Sequence, residues 1–464
     1  MFVLLYSDIL RVSITIALSD MPLANTMSSG RLMSVCLFAI FGRGWERIPN
    51  HLPANAGITS KDLLAFMLFW MIQFPLMFIH PRHMRYLYVF KAIYTPATLF
   101  GVLGWAVAKN GGSLGNITGL GKKHAEGSEL AWGMVQAVNA VMAALCPILI
   151  NTADVARYAR RPSDTSWAQF GAILISKVGV MFIGCATTSA AAGPNVIGKV
   201  FWNVWDLYHA ILTTYYSPSA RAGMFFASTG MMCAVLATNV GTNSLPVGAD
   251  ITGIFPRWIN IRRGQVLCAL LAPLLVPWKI IANAQSFLAF LGSYTVMLMP
   301  ICGIMVADYF LIRKGNIHVP SIYNASPDSI YMYYKGWNLR AIAAWVAGVA
   351  LTIHGINGNL NPKKTSQASK NIYKLGFILS GLMGFLTYWA LCVIWPVETA
   401  PKERSGTVLL FEELASSEGF FDGESVATIT GRIEGEGDDI TDNGSESVDD
   451  KEARVKEKGA GDYV

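Results

Sequence analysis

Charged residues are scarce in this sequence. Asp, Glu, Lys and Arg make up 14% of its 464 residues, where a soluble domain carries about 25%. That shortage argues against a water-soluble globule. Cysteine offers no scaffold either. All seven cysteines (Cys36, Cys146, Cys185, Cys233, Cys268, Cys302 and Cys392) fall within apolar runs. A disulfide framework needs pairs in external loops, so these read as small apolar packing residues. There is no CxxC, no HExxH and no catalytic serine elbow. The stretch "GNITGLGKKH" has the wrong glycine spacing for a phosphate loop, with Lys123 where Ser or Thr is required. A membrane-embedded enzyme has no support. The strict alternation of a membrane barrel is missing too.

What is present is apolar length. Hydrophobic residues are 53% of the chain, and the mean hydropathy is +0.40. They cluster in runs of roughly 18 to 25, enough to cross about 30 Å of hydrocarbon. The runs lie at 62–79, 88–108, 129–151, 168–189, 221–243, 264–282, 284–311, 339–355 and 373–395. Helices pair every backbone group internally, so the expectation is an all-α polytopic membrane protein with about nine clear spans. Residues 1–18 are apolar but interrupted by Asp8 and Arg11, which makes a poor signal peptide and a poor spanning helix. The apolar run at 31–41 is too short to cross alone. Three regions follow: a poorly defined segment at 1–44 with the remnant of a span, a transmembrane domain at 45–398, and a polar acidic tail at 399–464.

The tail cannot bury enough apolar surface to fold and is expected to be disordered, a platform for trafficking or ubiquitylation machinery. Without it the remainder is more basic than the overall +6. That surplus fits membrane topology and lipid headgroups rather than nucleic acid. Arg82, Arg85, Arg157, Arg160, Arg161, Arg257, Arg262, Arg263, Arg313 and Arg340 mark alternate loops. The positive-inside rule places those loops and the tail in the cytoplasm. Asn116 then heads an external glycosylation sequon.

Polar groups inside spans are costly and therefore informative. In "ATNVGTNSLPVG", Thr238 and Thr242 are four apart, as are Asn239 and Asn243, a polar stripe on neighbouring helix faces. Gly241 between them admits a close approach. Spacing alone leaves interhelical hydrogen bonding and ligand binding both open. In the 129–151 run, Pro147 removes a backbone donor and should break the helix near 143–147. Gln136 and Asn139 precede that break and Asn151 follows it. Broken helices at mid-membrane hold substrates and ions in transporters, although simple proline kinks are common. Lys177 falls near mid-span, where lysine costs about 2.5–3.5 kcal/mol unless paired. It either snorkels or serves a buried function.

The segments "FWMIQFPLMFIHPRHMRYLYVFKAI", "LINTADVARYARRPSD", "TNVGTNSLPVGADITGIFPRWINIRRG" and "ADYFLIRKGNIHVPSIY" resemble, in order, signatures of the fungal uracil–allantoin branch of the nucleobase:cation symporter-1 family. The resemblance runs from about residue 45 to 395. It implies a leucine-transporter-type fold of two inverted five-helix repeats, with a mid-membrane site between them. Family members usually have twelve spans, so the chain is read as N-terminally incomplete, lacking the first two to three. The implied activity is proton-coupled uptake of uracil, allantoin or a related heterocycle at the plasma membrane, driven by the proton gradient without a cofactor. A thiamine or nicotinamide riboside carrier, or a non-transporting remnant or sensor, are the alternatives. By resemblance, Asn243 reads the heterocycle, with Asn239 and Gln136 nearby. Leu145 and the neighbouring Ala144 stand where the family places an aromatic ring. Thr238 takes the position of a sodium-binding hydroxyl in a bacterial member. Its companion is replaced by Ala237, which favours proton coupling; Lys177, from its mid-span position rather than from the resemblance, is the other candidate coupling residue. Tyr294, Met297 and Met299 fall in a gating region.

Overall fold

The computed structural model describes residues 21–79, 83–116, 126–143, 145–156, 165, 167–255, 258–275, 278, 284–315, 331, 333–360 and 365–397. Among them the elements are helices, with no strand. Helix α1 (Met21–Phe41) corrects the reading of the amino-terminal region. The short apolar run extends backward to give a helix of 21 residues, about 32 Å long, of which Thr26–Phe41 is an apolar stretch. Polar residues hid it in the sequence, and packing absorbs them. Ser29 is fully buried, Gly30 lies so close to the Phe66 backbone that a Cβ would stand 2.8 Å from its Cα, and Arg31 pairs with Asp62.

Helix α2 (Ser60–Gln73) starts at Thr59, whose side chain accepts from the Asp62 N–H, the expected chemistry of a helix start. Helix α3 (Met84–Lys109) contains Pro96. The broken helix follows as α4 (Gly127–Ala143) and α5 (Cys146–Ala156), interrupted where Pro147 predicted it. Then come α6 (Trp167–Ala191) and the shorter α7 (Val204–Thr214). The latter turns Leu207, Tyr208, Ile211 and Leu212 inward at the four-residue spacing of an amphipathic helix.

Helix α8 (Pro218–Thr238), capped by Ser217, runs through a π-helical segment, Asn239–Ser244, into α9 (Leu245–Ile254). The expected span at 221–243 is thus the middle of a 36-residue rod. Next are α10 (Ile261–Leu271), α11 (Ala284–Ala307) with a second π segment at Asp308–Ile312, α12 (Leu339–Leu360), α13 (Gln367–Lys374) and α14 (Gly376–Ile394).

Among the described residues, five helical stretches are long and apolar enough to cross a membrane: Ser60–Phe78, Met84–Lys109, Trp167–Ala191, Pro218–Gly253 and Gly376–Ile394. Thr26–Phe41, Val296–Ile312 and Leu339–Gly355 are shorter apolar helices. Of the run expected at 264–282, the residues to Leu271 are α-helical and Ala272–Leu275 form a 3-10 turn, while 276–277 and 279–282 lie outside the described residues. The tail at 399–464 lies outside the described residues. So do Arg82, Arg157, Arg160, Arg161 and Arg257, on which the orientation partly rests.

Two packed groups result. In one, α1, α2, α7 and α8 share the largest apolar cluster, with Leu32, Phe38, Phe69, Tyr208 and Met224 inside it. In the other, α11, α12 and α14 press together. There a Cβ on Gly303 would stand 2.1 Å from the Gly381 oxygen, so only glycine permits the approach. A buried ion pair ties that group's end: Arg313 Nε donates to Asp308 Oδ2 at 2.9 Å, and Tyr388 Oη donates to Asp308 Oδ1 at 2.8 Å. Helix α5 touches both groups, meeting α9 and the first π segment on one side and α11 on the other. None of the seven cysteines is in a disulfide, and Cys36, Cys146, Cys268 and Cys392 are buried.

Candidate functional site

The polar stripe lies on the π-helical segment, and the reason is local. Pro246 lacks the N–H that would reach back four residues to Thr242. The ladder widens, and Leu245 N donates instead to Val240 O. Such single-turn widenings recur at functional sites. At Gly241 a Cβ would stand 1.3 Å from the Tyr88 hydroxyl of α3, so the close approach expected there is made by the protein's own tyrosine.

Asn239, 1% exposed, anchors the segment. Its Nδ2 donates to Thr26 Oγ1 of α1 at 3.0 Å and to Gln73 Oε1 of α2 at 2.9 Å. Its Oδ1 accepts from Asn243 Nδ2 at 2.9 Å. Both amide hydrogens and the oxygen are thereby engaged, which makes Asn239 a positioning group. Asn243 is half-buried, and among the described residues its carbonyl oxygen has no hydrogen-bond donor. It therefore presents an acceptor and a remaining N–H side by side.

Immediately before Asn239, Thr238 Oγ1 donates to Ala234 O at 2.9 Å and accepts from Lys91 Nζ of α3 at 2.7 Å. Ala237 is fully buried and adds no oxygen. Sequence reasoning missed Thr26, Gln73, Tyr88 and Lys91. Gln73 and Lys91 carried a usable signal, since each is a polar residue inside an apolar run. Thr26 carried none.

The other expected site residues are spread more widely. Leu145 forms the half-buried turn between α4 and α5, while Ala144 lies outside the described residues. Gln136 is exposed on α4 and makes no hydrogen bond to the Asn239 network among the described residues. Asn139 has a structural role, its Oδ1 accepting from Phe377 N at the start of α14, 2.8 Å away. Lys177 is exposed on α6, which packs against α3. Met299, expected in a gating region, packs on Cys146 and Ile150 of α5, the second half of the broken helix. Met297 lies with Val296, Val349 and Tyr373, its carbonyl accepting from Trp345 Nε1 at 2.9 Å. Tyr294 is in α11, and its side chain lies outside the described residues.

Comparison with known proteins gives these groups a family setting. Residues 23–393 match the family described as permease for cytosine/purines, uracil, thiamine, allantoin. The allantoin permease of Saccharomyces cerevisiae is 34% identical over 374 residues, covering 80% of this chain and 58% of that protein. The uracil permease of the same organism is 32% identical, with 80% and 58% covered. This chain therefore spans less than two thirds of the length of those relatives. The structure of Mhp1, a nucleobase-cation-symport-1 family transporter in a closed conformation with bromovinylhydantoin bound, superposes with a TM-score of 0.56 at 19% identity, covering 85% of this chain and 86% of that one. That likeness establishes the leucine-transporter-type fold. These are permeases rather than enzymes, and the chain belongs to their family, the nucleobase-cation-symport-1 permeases for cytosine, purines, uracil, thiamine and allantoin.

Proposed function

We propose that this protein is a secondary active transporter of the plasma membrane that couples proton entry to uptake of a nucleobase-like heterocycle such as uracil or allantoin, its acidic tail in the cytoplasm. The observation that carries the reading is the Asn239–Asn243 pair. Asn239 is locked between α1 and α2 and holds Asn243 through one hydrogen bond, which leaves Asn243 one N–H and its side-chain oxygen for a ligand. Lactam, imide and ureide groups offer the complementary N–H and C=O side by side. A rigid amide opposite them gains two hydrogen bonds and discriminates against rings that lack the edge, because a buried polar group left unpaired costs about 1–3 kcal/mol.

The coupling ion follows from Lys91. Its ammonium occupies the Thr238 hydroxyl, and Ala237 supplies no further ligand. A sodium ion 4 Å from an ammonium is repelled by about 4 kcal/mol at an effective dielectric of 20. A lysine that loses and regains a proton does the work of a bound cation without that conflict. Radiolabelled uptake of uracil, allantoin and thiamine tests both parts, with external pH varied and sodium replaced by choline. Uptake of a ureide or pyrimidine that rises on acidification and ignores sodium is the expected result. Strict sodium dependence overturns the coupling, and thiamine as the preferred substrate overturns the assignment to Asn243.

A further inference from the structure

A cavity of about 510 Å³, within the range of small-molecule clefts, lies apart from the polar network, along the seam between α3 and α8. Its floor is apolar and buried, formed by Val102, Ile211, Met224 and Ala227. One wall is the pair Trp105 and Tyr215, whose rings meet edge to face at 5.3 Å. On its rim are Gly101 and Gly223, where a Cβ would meet no atom within 4 Å. Both glycines are exposed, so the slot opens outward. Along α3 it runs from Tyr94 to Lys109, about 22 Å at the rise of a helix. That is most of the ~30 Å hydrocarbon thickness.

Its two ends differ chemically. At the deep end, the Tyr94 hydroxyl is engaged with Thr229 Oγ1 at 2.7 Å and Phe226 O at 3.2 Å, leaving a hydrocarbon-like surface. At the other end, the exposed Lys109 ammonium stands 5.4 Å from the centre of the Tyr215 ring, near the Ser217 and Ser219 hydroxyls that share a 3.1 Å hydrogen bond. Lys109 ends α3 and Ser217 caps α8, which brings the cation to the membrane surface. No ion pair neutralises it among the described residues.

We propose that this slot is a phospholipid site, with one acyl chain lying between α3 and α8 and the lipid phosphate on Lys109. An apolar trough open to the bilayer fills with hydrocarbon, and the cation at its mouth selects which lipid stays. A sterol brings one hydroxyl and no charge, and leaves the ammonium unmatched. A phospholipid matches both ends. The inference is independent of what the protein transports.

Native mass spectrometry tests it on full-length protein released from nanodiscs of phosphatidylcholine, phosphatidylserine and ergosterol. Wild-type protein is expected to carry a single phospholipid mass. Gly101→Leu with Gly223→Leu, which grow into open space, should lose most of that adduct. Lys109→Gln should keep the slot but lose its preference for phospholipid over ergosterol. A photoactivatable phosphatidylcholine should crosslink to peptides carrying Gly101 or Phe226 in the unmutated protein, a readout that does not depend on any variant folding. Equal phospholipid retention in the slot-filling variant, ergosterol as the bound species, crosslinks elsewhere, or wild-type protein free of lipid overturns the proposal.

Discussion

At the residue scale, two asparagines four apart have different jobs, and the difference is measurable. Asn239 satisfies three partners in a site 1% exposed. Asn239→Ala takes away the partner of Gln73 and of Asn243, at about 1–3 kcal/mol for a buried polar group left unpaired. Compensation within membrane bundles often trims such costs to about 0.6 kcal/mol. Thermal unfolding of the detergent-solubilised protein should show a clear drop for this variant. Asn243→Ala removes one internal hydrogen bond at a half-buried edge. It should leave the unfolding temperature nearly unchanged while raising the KM for uptake roughly tenfold, or 1.4 kcal/mol. The reverse pattern would exchange the two roles. Gly241 makes a sharper case. Gly241→Ala places a methyl on the Tyr88 hydroxyl, and overpacking of this kind costs about 1–3 kcal/mol. Tyr88→Phe removes the nearest atom, so the double variant should recover part of the loss. A double-mutant cycle with no coupling would show that the two do not meet.

At the element scale, the π segment is the device that aims the stripe. Pro246→Ala restores a donor that can reach the Thr242 carbonyl and favours a regular helix. The expected outcome is an unfolding temperature equal to or above that of the wild type, with uptake reduced roughly tenfold. Unaltered uptake with a lower unfolding temperature would remove the segment from function. The break between α4 and α5 was legible because proline acts locally, removing one backbone donor from the helix, although Pro96 within the continuous α3 shows that a helix can also carry one. Helix α1 was not legible. Its Ser29, Gly30 and Arg31 look like interruptions until Phe66 and Asp62 of α2 are seen to cover them. Thr26→Val tests the importance of α1 to the site. It removes an acceptor for Asn239 and should lower stability, and it should weaken uptake through Asn243. An inert substitution would make α1 mere scaffolding.

For the whole molecule, the proposed function turns on coupling. Lys91 of α3 reaches across to α8, in contact with the hydroxyl of Thr238, the residue immediately before Asn239. If its proton drives transport, Lys91→Met should abolish the dependence of uptake on external pH. Substrate binding, read by equilibrium dialysis of radiolabelled uracil, should survive. Retained pH dependence in that variant would transfer the role to another group, with Lys177 of the adjacent α6 the first to examine. Orientation is open to a similar check. Asn116→Gln should remove a glycan-dependent mass shift if the loop after α3 is external, and the absence of any glycan at Asn116 would count against the cytoplasmic tail.

The sequence by itself determined the class of solvent, the helical backbone, the broken helix, the polar stripe and the family. Each depends on composition or on spacing along one helix, and those are one-dimensional properties. Hydrocarbon forbids unpaired backbone, so apolar length is enough to specify helices. Tertiary structure decided what the stripe meets. Asn239 finds Thr26 across 213 positions and Gln73 across 166, and Thr238 finds Lys91 across 147. A hydrogen bond needs its donor and acceptor within about 3 Å and in line. Only the packing of α1, α2, α3 and α8 sets that geometry.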